Sequence, residues 1–286
     1  MAIVLDNITY TYGVGTPFEK TALKGISVTI ENGEFLGIIG HTGSGKSTFV
    51  QHLNGLLHPT TGKVTVNGVD VSEKTDEAKH MRHKVGMVFQ YPEHQLFEET
   101  IAEDIAFGPK NLGLDAEEVD RRVREAMAFV GLDYDTYAER SPFHLSGGQM
   151  RRVAIAGVVA MEPDFLVLDE PSAGLDPFGR EEIFDEIIKL HKEKDVTVIL
   201  VSHNMEDISR MANRLIVLDK GQIVLDGKPL DIFNHHRHVL QQVGVDVPPV
   251  SVLIESLRNR GLDVSNEVLT VDAVSYTHLR AHETLR

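Results

Sequence analysis

The sequence contains no cysteine and no long apolar run. The absence of cysteine excludes disulfide bonds and thiolate metal sites. No apolar run approaches the ~18–20 residues that a membrane-spanning helix needs. The N-terminus lacks the basic segment followed by an apolar segment that is typical of a secretion signal. We therefore expect the chain to stay in the cytoplasm.

Basic residues are also in the minority. The chain has 28 Lys and Arg against 43 Asp and Glu, a formal net charge of −15. This balance argues against nucleic-acid binding as the main function, because a nucleic-acid partner requires a basic surface. It does not exclude a membrane-protein partner, since such docking can be apolar and local. The 286 residues, of which 42% are hydrophobic, suffice for a substantial core and for one domain with appended subdomains.

A glycine-rich loop lies between an apolar run and a helical pattern. The run at 34–39 is typical of a buried parallel strand, and apolar residues after the loop recur at helical spacing. Backbone N–H groups of such a loop, with the helix dipole, favour a polyphosphate. The loop fits the pattern G-x-x-x-x-G-K-[ST] and consists of Gly40, His41, Thr42, Gly43, Ser44, Gly45, Lys46 and Ser47.

Two adjacent carboxylates follow a second apolar run. Asp169 and Glu170 come directly after Phe165–Leu168, where burial is costly without a function or a cation. In a phosphate-loop protein a strand-end aspartate is well placed to hold Mg²⁺, and its neighbour can polarise a water. Alone this pattern is common. Together with the phosphate loop it predicts a hydrolytic site.

The rest of the chain alternates strand and helix patterns. A hairpin is expected at 61–69, with its turn at Asn67-Gly68, and a helical region from about 100 to 157. Further strands are expected at 165–168 and 196–201, separated by a helix that begins at Asp176-Pro177. Such alternation predicts an α/β fold with a mostly parallel sheet covered on both sides. Within the helical region, Leu145–Gln149 forms a second glycine-rich helix start.

Three features have an ordinary structural explanation beside a functional one. The position of Tyr12 suits stacking on a nucleotide base, but a half-buried tyrosine explains it equally well. The arginines of 121–124 are best read as a solvated helix face. The histidines of 235–238 are best read as a polar helix end, with a metal site as the alternative.

The motifs, in chain order, resemble the full motif set of the ATP-binding cassette (ABC) ATPases. The resemblance covers about 3–227 and implies a P-loop NTPase with a RecA-like core sheet, a small antiparallel β subdomain and an inserted α-helical subdomain at about 95–157. It also implies that two cassettes pair head to tail, each ATP lying between one phosphate loop and the partner's signature. The set consists of residues 40–47, Gln90, Leu145–Gln149, Leu168–Glu170, Ser172–Asp176 and His203.

The resemblance also implies a role for each residue. It implies that Tyr12 and Thr48 bind ATP in addition to the phosphate loop. For catalysis it implies Lys46, Gln90, Glu170 as the group that activates water, and His203 at the γ-phosphate. For Mg²⁺ it implies Ser47, Gln90 and Asp169. For the partner's nucleotide it implies Ser146, Gly147, Gly148 and Gln149.

Residues 89–97 and 106–111 narrow the resemblance to the cassettes of energy-coupling-factor (ECF) importers. Thr42, Glu93 and the run 150–152 resemble the second of the two A-type ATPases in such complexes. The implied function is ATP hydrolysis that drives uptake of vitamins or other micronutrients. The implied partners are a paralogous A subunit, a membrane T subunit and, indirectly, a substrate-binding S subunit, so the chain would lie peripherally on the cytoplasmic face of the membrane.

The segment after Gln90 is where such proteins receive the coupling helices of the T subunit. We expect its apolar surface from Tyr91, Leu96 and Phe97, and contacts to basic residues from Glu93 and Glu98. The alternative is that these are simply core and solvent residues of the helical region.

Other assignments remain open at this point. The chain could be the homodimeric ATPase of a cobalt or nickel importer with a single A component, or a soluble non-transport ABC ATPase. Repair ATPases would need a long coiled-coil insertion and translation ATPases a second cassette, and the chain has neither. We expect a cassette over 1–227, a helical extension with a dimer contact over 228–273, and a non-native tail over 274–286 that resembles a translated sequencing adapter. The transported substrate is not readable from the sequence.

Overall fold

The structure is a computed structural model that describes residues 1–261, Val264 and Leu269. The expected extension over 228–273 therefore lies partly outside the described residues. The expected non-native tail over 274–286 lies wholly outside them.

The strands of the described residues form two sheets. In chain order the strands are β1 Ala2–Tyr12, β2 Lys20–Glu31, β3 Phe35–Ile39, β4 Thr61–Val66, β5 Val69–Asp70, β6 Val85–Val88, β7 Phe165–Asp169, β8 Thr197–Val201, β9 Arg214–Asp219 and β10 Gln222–Gly227. The smaller sheet has the order β2-β1-β4-β5 and the larger one β10-β9-β3-β8-β7-β6. The smaller sheet is antiparallel. The larger is parallel except for β10, which forms an antiparallel hairpin with β9.

Helices connect and cover the strands. In chain order they are α1 Lys46–Leu53, α2 Asp76–His83, α3 Ile101–Asn111, α4 Ala116–Phe129, α5 Tyr134–Tyr137, α6 Gly147–Val159, α7 Pro177–Lys194, α8 Met205–Met211, α9 Pro229–His235, α10 Arg237–Gln242 and α11 Pro249–Asn259. Short 3₁₀ turns lie at Pro92–Gln95 and Pro142–His144. Among the helices of the described part, none has both the length and the apolar character needed to cross a bilayer.

The parallel strands are buried on both faces, which explains their uninterrupted apolar runs. All five residues of β3, β7 and β8 are buried. One apolar core lies between the larger sheet and the helices from α3 onward. A second joins the larger sheet to α1 and the smaller sheet. The α/β fold predicted from the alternating pattern is confirmed.

Local sequence signals account for the starts of several helices. Asp176 accepts a hydrogen bond from the N–H of Gly179 at 2.7 Å, and Pro177 occupies the first position of α7, as expected. Asp115 likewise caps α4 through the N–H of Glu118. The hairpin at 61–69 also forms as predicted, with Asn67 in a left-handed conformation at its turn.

Candidate active site

A cavity of about 580 Å³ opens where the parallel strands β3, β7 and β8 end. In parallel sheets the carboxyl ends of the strands form the usual ligand site, because the loops that follow them meet there. The structure brings most of the sequence-predicted residues to this cavity. Those that line it are Tyr12, Thr42, Gly43, Gly45, Lys46, Ser47, Thr48, Gln90, Asp169, Glu170 and His203.

The phosphate loop is held in place by close backbone packing. A Cβ at Gly40 would lie 2.3 Å from the carbonyl oxygen of Leu218, so only glycine fits there. Gly43 and Gly45 have φ of 83° and 107°, a left-handed region that favours glycine. Ser44, within the loop, is fully buried, and the N–H of Gly221 donates to its carbonyl oxygen at 2.9 Å. The loop is therefore positioned from below by β9 and the turn after it.

Lys46 is buried and lies across the inside of the loop. Its Nζ donates to the carbonyl oxygens of Gly40 at 2.6 Å and His41 at 3.1 Å. Burial lowers the pKa of Lys46, while Glu170 and Asp169 act in the opposite direction. Lys46 also lines the cavity, and its ammonium group has three N–H donors, so one of them remains for an anion that enters the cavity.

His41 and Ser44 belong to the loop but do not line the cavity. Nε2 of His41 lies 2.9 Å from Oδ1 of Asp219, and its Nδ1 lies 2.7 Å from the carbonyl oxygen of Thr42. His41 therefore ties the loop to the end of β9. Its observed role is to support the loop.

The two carboxylates predicted at the end of β7 face the same cavity. Burial raises the pKa of Asp169, and a hydrogen bond from Ser47 and the charge of Lys46 oppose that rise. Burial, and then the charge of Asp169, raise the pKa of Glu170 to about 7. Glu170 has φ of 55°, an uncommon conformation for a non-glycine residue.

An aromatic side chain forms another wall. The hydroxyl group of Tyr12 lies 3.1 Å from Oγ1 of Thr48, and its ring packs edge-on against Tyr10, with centroids 4.8 Å apart. The side chain remains partly exposed. Tyr12 therefore lies at the cavity, and stacking of its ring on a nucleotide base stays a prediction.

Sequence reasoning missed several residues of the cavity. They lie near the start of β2 and in the turn between β9 and β10, outside any recognised motif: Lys20, Thr21, Ala22, Lys24 and Lys220. Three of them are lysines, so the mouth of the cavity carries more positive charge than the motifs alone predict. No sequence signal marks these positions, because the fold alone brings them beside the loop.

The second glycine-rich stretch does not line this cavity. Ser146 caps α6 by accepting from the N–H of Gln149, whose side chain returns a contact to the Ser146 backbone. Gly147 has no atom of the described residues within 4 Å of where its Cβ would lie, and at Gly148 the nearest is Leu175 Cδ2 at 3.8 Å. Neither glycine has a left-handed φ. The fold of this chain therefore does not require glycine at either position.

The structure corrects two expectations for the segment after Gln90. Leu96 is 7% exposed and packs in the core, so it supplies no surface. Glu93 pairs with Arg151 of the same chain, at 3.0 and 3.1 Å, so its carboxylate is already occupied. Pattern alone could not separate Leu96 from its exposed neighbour Phe97, because the 3₁₀ turn Pro92–Gln95 ends directly before them and no helical or strand period runs through them.

The chain is similar to known proteins over most of its length. The family model described as "ABC transporter" matches residues 23–173. The "Energy-coupling factor transporter ATP-binding protein EcfA2" of Clostridium perfringens is 56% identical over 271 residues, which are 95% of each chain.

Two solved structures have the same fold. The "Structure of cbiO1 from clostridium perfringens: Part of the ABC transporter complex cbiONQ" superposes with a TM-score of 0.73 and 34% identity, over 88% of this chain and 98% of that one. A dimeric, post-hydrolysis state of the ATP-binding cassette MJ0796, bound to ADP and Pi, superposes with a TM-score of 0.71 and 32% identity, over 79% and 98%.

Proposed function

The chain belongs to the ABC transporter family, as an ATP-hydrolysing subunit of an energy-coupling factor importer, and we propose that its cavity binds ATP with Mg²⁺ and that Glu170 activates the attacking water. The observation that carries this proposal is the meeting of Lys46, Asp169 and Glu170 in one cavity beneath a glycine-rich loop. The imported cargo would be a vitamin or another micronutrient, chosen by a separate membrane subunit.

Nucleotide binding rests on the loop and its helix. The N–H groups at the start of α1 and the ammonium group of Lys46 would hold the β- and γ-phosphates. Thr48, whose hydroxyl group lies 3.1 Å from that of Tyr12, would support the α/β-phosphates. The ring of Tyr12 would stack on the base. The cavity lysines missed by sequence reasoning add positive charge at the mouth.

The donor set beside the loop suits Mg²⁺. Hard divalent cations prefer oxygen ligands, and Ser47, Gln90 and Asp169 offer a hydroxyl, an amide and a carboxylate oxygen at one wall. Asp169 is buried and its pKa is raised by that burial, so a cation would relieve the cost of ionising it. When bound, the ion would neutralise phosphate charge. These three residues are the ones that would hold it.

The chemical step requires a base and an in-line water. Glu170 would accept a proton from the water while the water oxygen forms a bond to the γ-phosphorus. The bond between the γ-phosphorus and the β,γ-bridging oxygen breaks at the same time, which releases ADP and phosphate. Nε2 of His203 lies 2.9 Å from the Glu170 carboxylate. Burial lowers the pKa of His203, so a neutral imidazole would contact the γ-phosphate.

A second cassette would complete the site. Gly147 and Gly148 leave open space at the start of α6 that this chain does not use. With Ser146 and Gln149 they form a helix N-terminus suited to a phosphate. Similarity to a dimeric cassette supports a head-to-tail pair, in which these residues would contact the nucleotide of the partner. The partner would be a paralogous A subunit.

The membrane partner would dock beside the segment after Gln90. Phe97 is 57% exposed and packs edge-on against Phe107, with centroids 4.8 Å apart. Tyr91 is also exposed on this segment. We name the exposed pair of rings Phe97 and Phe107 the aromatic patch. It would receive a membrane T subunit, which would place the chain on the cytoplasmic face of the membrane and link it indirectly to an S subunit.

Matched lysine variants test ATP binding. Lys46→Ala should weaken ATP binding and turnover together, because it removes the charge inside the loop. Lys220→Ala removes a charge of the same sign from the rim of the same cavity, where its side chain is 79% exposed, and should change affinity far less. Calorimetric titration of the nucleotide-free chain with Mg-ATP measures both. Equal affinities of Lys46→Ala and wild type would overturn the proposal.

A further inference from the structure

Arg151 of α6 is buried but does not line the cavity. The side chain of Arg151 is 2% exposed. Burying a cation is costly unless it is paired and hydrogen-bonded, so an arginine at this position implies specific partners. Its neighbour Arg152 is less buried. It donates to the carbonyl oxygen of Val130, at the end of α4, and to the carboxylate of Glu182 in α7.

The partners of Arg151 lie on two different segments. Nε and Nη2 donate to both carboxylate oxygens of Glu93, at 3.1 and 3.0 Å. Such a forked pair fixes the plane of the guanidinium group. Nη1 donates to the carbonyl oxygens of Pro171, at 3.3 Å, and Ala173. One side chain therefore joins the segment after Gln90 to the loop that follows Glu170.

The loop after Glu170 needs such support. Glu170 has φ of 55°, and an uncommon backbone conformation persists only where its surroundings hold it. Pro171 comes next in the chain, and its carbonyl oxygen is one of the two that Arg151 binds. The loop's internal support includes the N–H of Ala173 donating to the carbonyl of Glu170, at 3.2 Å.

The segment on the other side is similarly constrained. Tyr91 also has φ of 55°. Its ring lies 5.9 Å from the guanidinium carbon of Arg151 and close to Gly174 of the loop. Arg151 thus sits between two unusual backbone turns and contacts both segments.

We propose that Arg151 is a positioning residue for ATP hydrolysis, whose guanidinium group, oriented by Glu93, holds the loop after Glu170 so that the Glu170 carboxylate faces the attacking water. This rests on the proposed role of Glu170. A displacement of about 1 Å at a reacting group can cost ~10²-fold in rate, so a loss of this support should lower kcat. It should leave the Michaelis constant for ATP nearly unchanged, because the phosphate loop lies in another strand–helix unit.

The alternative is that Arg151 only neutralises the buried Glu93. The double variant Arg151→Met with Glu93→Gln separates the two explanations, because it removes both charges but also leaves the Pro171 and Ala173 carbonyls without their donor. Positioning predicts that the double variant regains the thermal stability lost in Arg151→Met while kcat stays at least ~10-fold low. Charge neutralisation predicts that stability and kcat recover together, and that result would overturn the proposal.

The assay uses the full chain assembled with its partner cassette and Mg-ATP. Arg152→Met is the matched control and should keep kcat within ~2-fold of wild type, since its partners lie away from the loop. Arg151→Lys keeps the charge without the fork and should also have a low kcat, which provides a second variant if Arg151→Met fails to fold. A wild-type kcat in Arg151→Lys would contradict positioning.

A second readout does not depend on hydrolysis. Hydrogen exchange of the peptide covering 170–176 in the nucleotide-free chain should be ~10-fold faster in the Arg151 variants than in Arg152→Met. Equal exchange would overturn the proposal. Glu170→Gln, assayed in parallel, separates failure of the proposed function from failure of this inference. If this variant hydrolyses ATP like wild type, the proposed role of Glu170 is wrong. The exchange result still decides whether Arg151 holds the loop after Glu170.

Discussion

Nε2 of His203 lies 2.9 Å from Oε1 of Glu170, although the two residues are far apart in the chain. Their strands explain the contact. Asp169 at the end of β7 pairs in register with Val201 at the end of β8, and the N–H of Glu170 donates to the carbonyl oxygen of Val201 at 3.0 Å. The residues that follow these two ends therefore meet, and the imidazole faces the carboxylate.

This pair predicts a pH dependence. A base must be ionised, and burial raises the pKa of Glu170 to about 7, so the ionised fraction falls as pH falls below that value. We expect kcat/KM for ATP, which reports groups of the free enzyme, to fall about tenfold per pH unit below pH 7. ATP binding measured at each pH is the control for titration of the nucleotide itself. A flat profile between pH 5.5 and 7.5 would exclude Glu170 as the base.

Gly148→Asp should block cassette pairing without damaging the fold. A Cβ at Gly148 has room, and a carboxylate in the first turn of a helix is favourable for stability. The same charge would face the phosphate of the partner's ATP, where like charges cost several kcal/mol, equivalent to at least ~100-fold in affinity. Sedimentation of the two cassettes with ATP measures this. Gly148→Ala, which adds volume without charge, should pair nearly normally; unchanged pairing of the Asp variant would contradict a shared site.

Phe97→Asp should release the chain from its membrane partner. Burying an unpaired carboxylate in an apolar contact costs several kcal/mol, and Phe97 is the most exposed member of the aromatic patch. Co-purification with the T subunit should be lost while the soluble chain still binds ATP. Val224→Asp, at an exposed position of β10 on the opposite edge of the sheet, is the control. Retained co-purification would show that docking lies elsewhere.

Leu96→Asp should behave differently from Phe97→Asp. Leu96 packs in the core, so the variant should lose thermal stability and ATP binding together. If Leu96→Asp folds and binds ATP normally, Leu96 is not a core residue under these conditions, and the division between core and patch in this segment is wrong.

The parts predictable from sequence were those with a local signal. The phosphate loop, the carboxylates after β7 and the cap at Asp176 each carry their chemistry within a few residues. Helix α2 lacks an apolar stripe, because Ala78 is its one buried residue among those described, and it was not predicted from the sequence. An apolar stripe is what makes a helix visible in a sequence.

The missed features depend on residues brought together by the fold. Glu93 and Arg151 are both in recognised segments, yet nothing in either segment indicates that they pair. The sequence instead suggested that Glu93 would face a partner. The cavity lysines were not predicted for the same reason, since Lys24 lies in β2 and Lys220 in the turn between β9 and β10.

The most direct test of the account is hydrolysis by Glu170→Gln, in a dimer whose other site is disabled. Turnover should fall ~10²–10⁴-fold while ATP binding is kept, because the water loses its base. Stability should not fall: a carboxyl whose pKa is raised in the fold destabilises the fold as pH rises above its unfolded value, so at pH 8 a neutral amide should melt at the same temperature or higher. Turnover within a few-fold of wild type would contradict the central claim that Glu170 activates the water.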